Sequence, residues 1–323
     1  MGDWRRGRRV TRVEVRMLTR ALLIAAVVSA PLHGQRVFPG GPSFPFSDSA
    51  VVITLGTGTP VPNPERAGPA TAVVVGRRVL LFDAGAGVMR RLAAAGLPID
   101  GVTAAFITHL HSDHTLGLPD LILTSWVMGR STPMRLVGPP GLTRMTDHLI
   151  AAWGEDTLVR VTGLERGRPG GYRVETREVQ GGIVYDSGGI TVTAIRVPHG
   201  EWEHAFAYRV DAARRSIVIS GDTRPSDALE RAASNVDVLV HEVYPETRIA
   251  PENRPGGELW PRYLREVHTS DVELGRMAGR ARPRLLLLTH VLFMGASEQE
   301  LVDGIRRGGF TGRVVVARDL VRY

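Results

Sequence analysis

The string T-H-L-H-S-D-H at 108–114 places His109, His111, Asp113 and His114, four side chains able to ligate a metal, within six residues. It follows directly on the apolar run 102–108, so the ligands emerge where a predicted strand ends. His109 and His111 are two apart, and in an extended loop both imidazoles project to one side. Asp113 and His114 follow as the chain turns toward a helix signalled by Leu116, Leu118 and the leucine-rich run 121–123. One metal can take the first pair of residues and a second metal the other pair. The chain holds ten His, and three of them inside six residues mark a site rather than a solvated loop. The chemistry open to such a pair of ions is hydrolysis by activated water.

Something must bring further ligands to this loop. Apolar runs predict strands at 51–55, 72–75, 79–82, 104–108, 134–137, 190–197, 205–210, 216–220, 236–240 and 285–288, with helices over 88–95 and 271–281. Strands and helices alternate throughout, which predicts an α/β layered fold. Three of the predicted strands end in further candidate ligands: His199 after 190–197, Asp222 after 216–220 and His290 after 285–288. Side chains at strand ends converge at one edge of a sheet. His204 competes with His199 for the same role, and the spacing of His199 from Tyr208 favours His199. Asp83 is expected to support the metal loop as a buried acceptor, and His148 to be exposed. The segment 167–182 reads as loop-rich and near the entrance to the site.

The ordered set L-G-T-G-T-P (55–60), F-D-A-G-A-G (82–87), T-H-L-H-S-D-H (108–114), V-P-H (197–199), S-G-D-T (220–223) and L-L-T-H (287–290) resembles the metallo-β-lactamase superfamily from Val51 to the C-terminus. The resemblance implies a single-domain, four-layer αββα sandwich with two zinc ions at one edge of the facing sheets. It implies that His109, His111 and His199 hold the first ion, that Asp113, His114 and His290 hold the second, and that Asp222 bridges both. A bridging carboxylate in a G-D-T motif disfavours a true β-lactamase. The V-H-E string at 240–242 and H-T-S at 268–270 resemble paired motifs of the ribonuclease Z-like branch, implying His268 as proton donor and Glu242 as its orienting group. Asp113 is the third residue expected in the chemistry, orienting the attacking water.

Within that branch the tRNA-processing members carry a long Gly/Pro-rich arm between the equivalents of Tyr208 and Asp222, where this chain has thirteen residues. The resemblance is then to arm-less arylsulfatase-type and phosphodiesterase-type enzymes. The expected function is an exported dizinc hydrolase of phosphodiester or aryl sulfate and phosphate esters, acting on small-molecule substrates, with no tRNA partner. Lactone or β-lactam hydrolysis is the alternative enzyme reading; a ribonuclease Z-type nuclease ranks below it, as does the alternative class, a non-hydrolytic metal or redox protein.

Composition bears on partners and compartment. The 323 residues contain no Cys, which excludes thiolate ligands, Cys nucleophiles and disulfides together. All forty basic residues are Arg. Residues 1–34 carry a net +5 of the formal +7, leaving about +2 for the body, so no strongly basic nucleic-acid-binding face is expected. Arg16 and Arg20 precede a short apolar run, 21–28, and a small-polar segment. That order predicts a secretory leader over 1–34, with Met17 as an alternative start, a linker over 35–50 and a hydrolase domain over 51–323. The expected product is periplasmic or secreted, without stable membrane association once the leader is removed, and leaves room for a homodimer.

Overall fold

The computed structural model describes residues 44–323, so the predicted leader and most of the linker lie outside the described residues. The N-terminal half runs β1 (Val51–Gly56), β2 (Ala70–Val75), β3 (Arg78–Phe82), α1 (Val88–Ala94), β4 (Val102–Phe106), α2 (Ser112–Thr115), α3 (Leu118–Val127), β5 (Met134–Gly138), α4 (Leu142–Ala152), α5 (Gly154–Thr162) and β6 (Val174–Glu178). The C-terminal half runs β7 (Gly182–Ser187), β8 (Ile190–His199), β9 (Trp202–Ala212), β10 (Arg215–Ile219), α6 (Asp227–Ala232), β11 (Val238–Val243), α7 (Trp260–Val267), α8 (Asp271–Ala281), β12 (Leu285–Val291), α9 (Glu298–Arg307), β13 (Arg313–Val316) and β14 (Val321–Arg322).

Two seven-stranded sheets face each other, in the orders β14-β1-β2-β3-β4-β5-β6 and β13-β12-β11-β10-β9-β8-β7. Alternation along each strand sends neighbouring residues to different layers. In β12, Leu285 and Leu287 face the opposite sheet, while Leu286 and Leu288 face the α6, α8 and α9 layer. In β1, Val52 faces inward, and Ile53 and Leu55 meet the α1, α3 and α4 layer. Burial on both faces is why these strands read as unbroken apolar runs. Phe82 and Phe106 stack 5.0 Å apart between the sheets, with the Tyr208 ring 5.6 Å from Phe106 and its hydroxyl donating to the Ile107 carbonyl at 2.9 Å. This aromatic plug lies directly beneath the metal loop. The predicted four-layer αββα sandwich is the architecture observed.

Two differences from the sequence reading matter. Segment 167–182 contains the edge strand β6, and its contacts are with Trp126, Arg130 and Ser131 rather than with the predicted metal ligands. Phe44 is buried, its N–H bonded to the Gly96 carbonyl at 3.1 Å, so the chain joins the domain before Val51. Among the described residues, no helix is long and apolar enough to cross a membrane.

Candidate metal centre

Strands β8, β10, β11 and β12 run in one direction, because β8 and β10 both pair antiparallel with β9 and β10, β11 and β12 pair in parallel. Their C-terminal ends therefore share an edge. His199 closes β8, Asp222 follows β10, Glu242 lies near the end of β11, and His290 lies near the end of β12. From the other sheet, Asp83 follows β3 and the ligand loop follows β4. Gly221 makes the turn into Asp222 at φ 59°, and a Cβ there would lie 2.8 Å from Thr108 Cβ and 3.0 Å from the Phe206 carbonyl oxygen. Only glycine both adopts that conformation readily and admits the approach. Asp83 (φ 59°) and His290 (φ 44°) occupy the same left-handed region without being glycine, a strain that concentrates where function constrains the backbone.

The fold brings the seven predicted ligands together as two clusters: His109, His111, His199 and Asp222, and beside them Asp113, His114 and His290. In the first cluster, His111 Nδ1 lies 2.9 Å from His109 Nε2 and 3.1 Å from His199 Nε2. In the second, His290 Nε2 lies 3.1 Å from Asp113 Oδ2. Asp222 stands between them, with Oδ1 at 3.4 Å from His114 Nε2, and Oδ2 at 3.6 Å from His290 Nε2 and 4.0 Å from His109 Nε2.

These residues fit a metal on the structure's own terms. His114 Nε2, which faces the cluster, is a buried nitrogen with no hydrogen-bond partner, a costly condition that a ligand relieves. The other nitrogen of His114 is committed, since Nδ1 meets Asp83 Oδ2 at 2.8 Å, and Asp83 also accepts from the Thr108 amide and hydroxyl. His199 Nδ1 is likewise tied to the Val267 carbonyl at 2.9 Å. Each bond fixes the ring and turns its remaining lone pair into the cluster. His204 stays outside, beside Arg196, and His148 is exposed on α4.

Electrostatics divide the clusters. Burial, reinforced by His114, holds His109 well below the ordinary imidazole range. Burial and His199 bring His111 down to about 4, and burial lowers His199. The first triad is therefore neutral, the form that ligates. At His114 burial opposes the charge, but Asp222 and Asp83 outweigh it and hold the imidazole well above its usual value. At Asp222 burial favours protonation, and His290 and His114 override it, keeping the carboxylate ionised. A proton held on His114 beside an anionic carboxylate is what a cation bound there would replace. Asp83→Asn should retain the bond to His114 but lose its charge, and weaken metal affinity about 10- to 100-fold, measured by chelator competition.

His268 and Glu242 meet beside the clusters: His268 Nδ1 lies 3.1 Å from Glu242 Oε2 and 3.9 Å from Asp222 Oδ2. The separation of 26 residues in sequence is closed because α8 begins beside the end of β11, where the Tyr244 amide bonds the Thr269 carbonyl at 3.1 Å. Glu242 Oε1 is held in turn by the amides of Thr223 at 3.1 Å and Thr269 at 3.3 Å. Burial works against charge on His268, but Glu242 and Asp222 prevail and raise its pKa.

Sequence reasoning missed two aromatic residues. Trp202, the first residue of β9, donates its indole N–H to His111 Nε2 at 2.7 Å, and Tyr263 on α7 sets its ring 5.7 Å from His268. The available signals were the Trp in H-G-E-W at 199–202 and the i, i+3, i+4, i+7 spacing of Trp260, Tyr263, Leu264 and Val267, which marks α7 as an amphipathic helix without saying that it borders the site.

Residues 77–291 match the Beta-lactamase superfamily domain. A ribonuclease Z of Mycobacterium bovis (strain BCG / Pasteur 1173P2) is 33% identical over 280 residues, covering 84% of this chain and 96% of the relative. The chain belongs to the metallo-β-lactamase superfamily, in its ribonuclease Z-like branch. A ribonuclease Z of Mycobacterium sp. (strain KMS) is 37% identical over 256 residues, covering 77% of this chain and 86% of that protein. Among solved structures, the fold is shared with the metallo-beta-lactamase fold protein YhfI of Bacillus subtilis (TM-score 0.65, 19% identity, 85% of this chain and 98% of that one). It is shared also with the short form of human tRNase Z (TM-score 0.61, 23% identity, 84% and 98%). With the cluster, this membership makes the chain a metal-dependent hydrolase.

The same findings overturn two expectations. Small-molecule esters as the primary substrate, with ribonuclease Z-type activity ranked below them, does not stand against relatives named ribonuclease Z along nearly their whole length. The expectation of no tRNA partner falls with it. It rested on the near-neutral body, the predicted leader and above all the short β9–β10 connection, which the structure shows as a tight turn through Ala213 and Arg214, both at positive φ. One missing arm concerns one binding surface, whereas the relatives match across the rest of the chain. Net charge likewise averages over the body and cannot describe the field at one edge.

Proposed function

We propose that this protein is a zinc-dependent ribonuclease of the ribonuclease Z type, hydrolysing a phosphodiester bond in tRNA-like RNA. The observation that carries the reading is the His268–Glu242 pair at 3.1 Å, set beside Asp222 at the edge of the ligand clusters. A buried imidazole with a raised pKa is a proton donor where a ribose oxygen must leave. The similarity to ribonuclease Z over 96% of that protein's length supplies the substrate class.

His109, His111 and His199 would hold one zinc ion, Asp113, His114 and His290 a second, and Asp222 both; the all-N/O donor set without thiolate suits zinc. Bound there, the ions supply charge neutralisation on the non-bridging phosphoryl oxygens and lower the pKa of water. Asp113, ionised because its bond from His290 and the charge of His114 outweigh burial, accepts a hydrogen bond from the attacking water and sets its direction. His268 holds a proton on its imidazole and delivers it to the leaving ribose oxygen. Glu242, pinned by two backbone amides, fixes the ring through Nδ1 and leaves Nε2 to face the substrate.

Zinc-loaded protein is expected to cleave a precursor tRNA transcript at a defined position, and Asp222→Ala should abolish that cleavage in the same preparation. Hydrolysis of bis-aryl phosphate with no cleavage of the transcript under any zinc concentration would reject the substrate class.

A further inference from the structure

We propose that the cleft between Trp202 and Tyr263 is a nucleobase subsite, holding the base of a nucleotide that adjoins the scissile phosphate. The inference rests on the ribonuclease reading and adds to it where one base is gripped. The cleft encloses about 380 Å³ and opens beside His111 and His199, with Leu259 and Arg262 completing its wall. That volume lies in the range of small-ligand sites, roughly 300–1,000 Å³.

The two aromatics come from separate elements and touch separate halves of the chemistry. The Trp202 ring stands 4.8 Å from His111 in the first cluster, and the Tyr263 ring 5.7 Å from His268, the proposed proton donor. Both remain substantially exposed, Trp202 at 37% and Tyr263 at 38%. Tyr263 is backed by Trp260, stacked at 5.0 Å and 13°, and the Arg254 guanidinium lies 5.5 Å over Trp260. The stack on Trp260 braces the Tyr263 ring where it lines the cleft. Exposed aromatic rings next to a reaction centre are the feature with which proteins stack unpaired bases.

Charge distinguishes a base from a phosphate as the occupant. Glu201 and Glu266 also line the cleft, and Arg262 donates its Nε–H to Glu266 Oε1 at 2.8 Å. Two carboxylates against one paired guanidinium repel a phosphate. They accept hydrogen bonds from the exocyclic amino groups and ring N–H of a base. The phosphate itself then falls to the ligand clusters, one nucleotide unit away.

The test compares ligands that share a phosphate and differ in the base. Isothermal titration of the zinc-loaded full chain with adenosine 5′-monophosphate, adenosine 3′-monophosphate and ribose 5-phosphate should show one nucleotide binding about 5- to 150-fold more tightly than the sugar phosphate, the range that one stacked base gives. Tyr263→Ala should collapse that ratio toward unity and Tyr263→Phe should restore it. Trp202→Ala should do the same, and Tyr263→Ala, whose ring meets His268 and not a ligand imidazole, keeps the test valid should Trp202→Ala lose metal through His111. On a cleaved RNA the Tyr263→Ala loss should appear in KM more than in kcat. No preference for either nucleotide over ribose 5-phosphate would overturn the subsite even if tRNA is cleaved. A clear preference in a protein that cleaves no RNA would keep the subsite and reject the ribonuclease reading.

Discussion

Asp222→Ala is expected to lose metal and activity together. The residue lies within 4.0 Å of imidazoles from both clusters, and its carboxylate stays ionised against burial because those imidazoles surround it. Removing it leaves the two clusters without the anion that joins them. The loss of transition-state charge stabilisation should be at least about 4 kcal/mol, roughly 10³-fold in rate. Metal content per chain by mass spectrometry, measured beside the rate, checks the coupling. The wild type should also melt at a higher temperature with zinc than in chelator, since an ion that binds only the folded state stabilises it by mass action, and Asp222→Ala should lose most of that difference. Full metal content with full activity in the variant would remove Asp222 from the site.

His268→Ala should behave in the opposite way, keeping its metal and losing rate selectively. Because His268 contacts Glu242 and is grouped with neither ligand cluster, the clusters should survive its removal. Its absence should slow a substrate with an alkoxide leaving group by about 10²- to 10⁴-fold. A nitrophenolate leaving group needs no proton and should be slowed far less, so the dependence of log(rate) on leaving-group pKa should steepen. The pH profile carries a second signature. Against burial, Glu242 and Asp222 raise the folded-state pKa of His268 above the ordinary 6.5, so the protonated donor persists to higher pH than a free imidazole would and is lost as pH rises through the raised value. A basic limb above pH 6.5 should therefore appear for poor leaving groups in the wild type and vanish in His268→Ala. A uniform rate loss with an unchanged profile would make His268 a structural residue of the pocket.

Much of this protein was legible before folding. The loop 108–114 declares a metal site because four ligand side chains in six residues have no other economical use, and two-residue spacing already orients a pair of them. The strands are legible because both faces of each sheet are covered, so β1, β11 and β12 appear as apolar runs whose ends are where polar side chains can emerge. The helix 271–281 is legible from its cap, Ser270 with Glu273 reciprocating.

What the tertiary structure alone decided is which distant residues meet. His268 and Glu242, 26 residues apart, touch only because α8 starts where β11 ends, a relation between elements that no local pattern encodes. Asp83 and His114, 31 residues apart, pair only because β3 and β4 lie side by side in one sheet. The cleft wall was invisible for a different reason. α7 is short and capped by no side chain; its apolar spacing at 260, 263, 264 and 267 marks a helix but not the site it borders, and Trp202, the exposed first residue of β9, lies outside that strand's buried pattern. Ligand identity follows from residue type and strand-end position, which the chain states locally; substrate contacts depend on which surfaces the packing of two sheets brings to one edge.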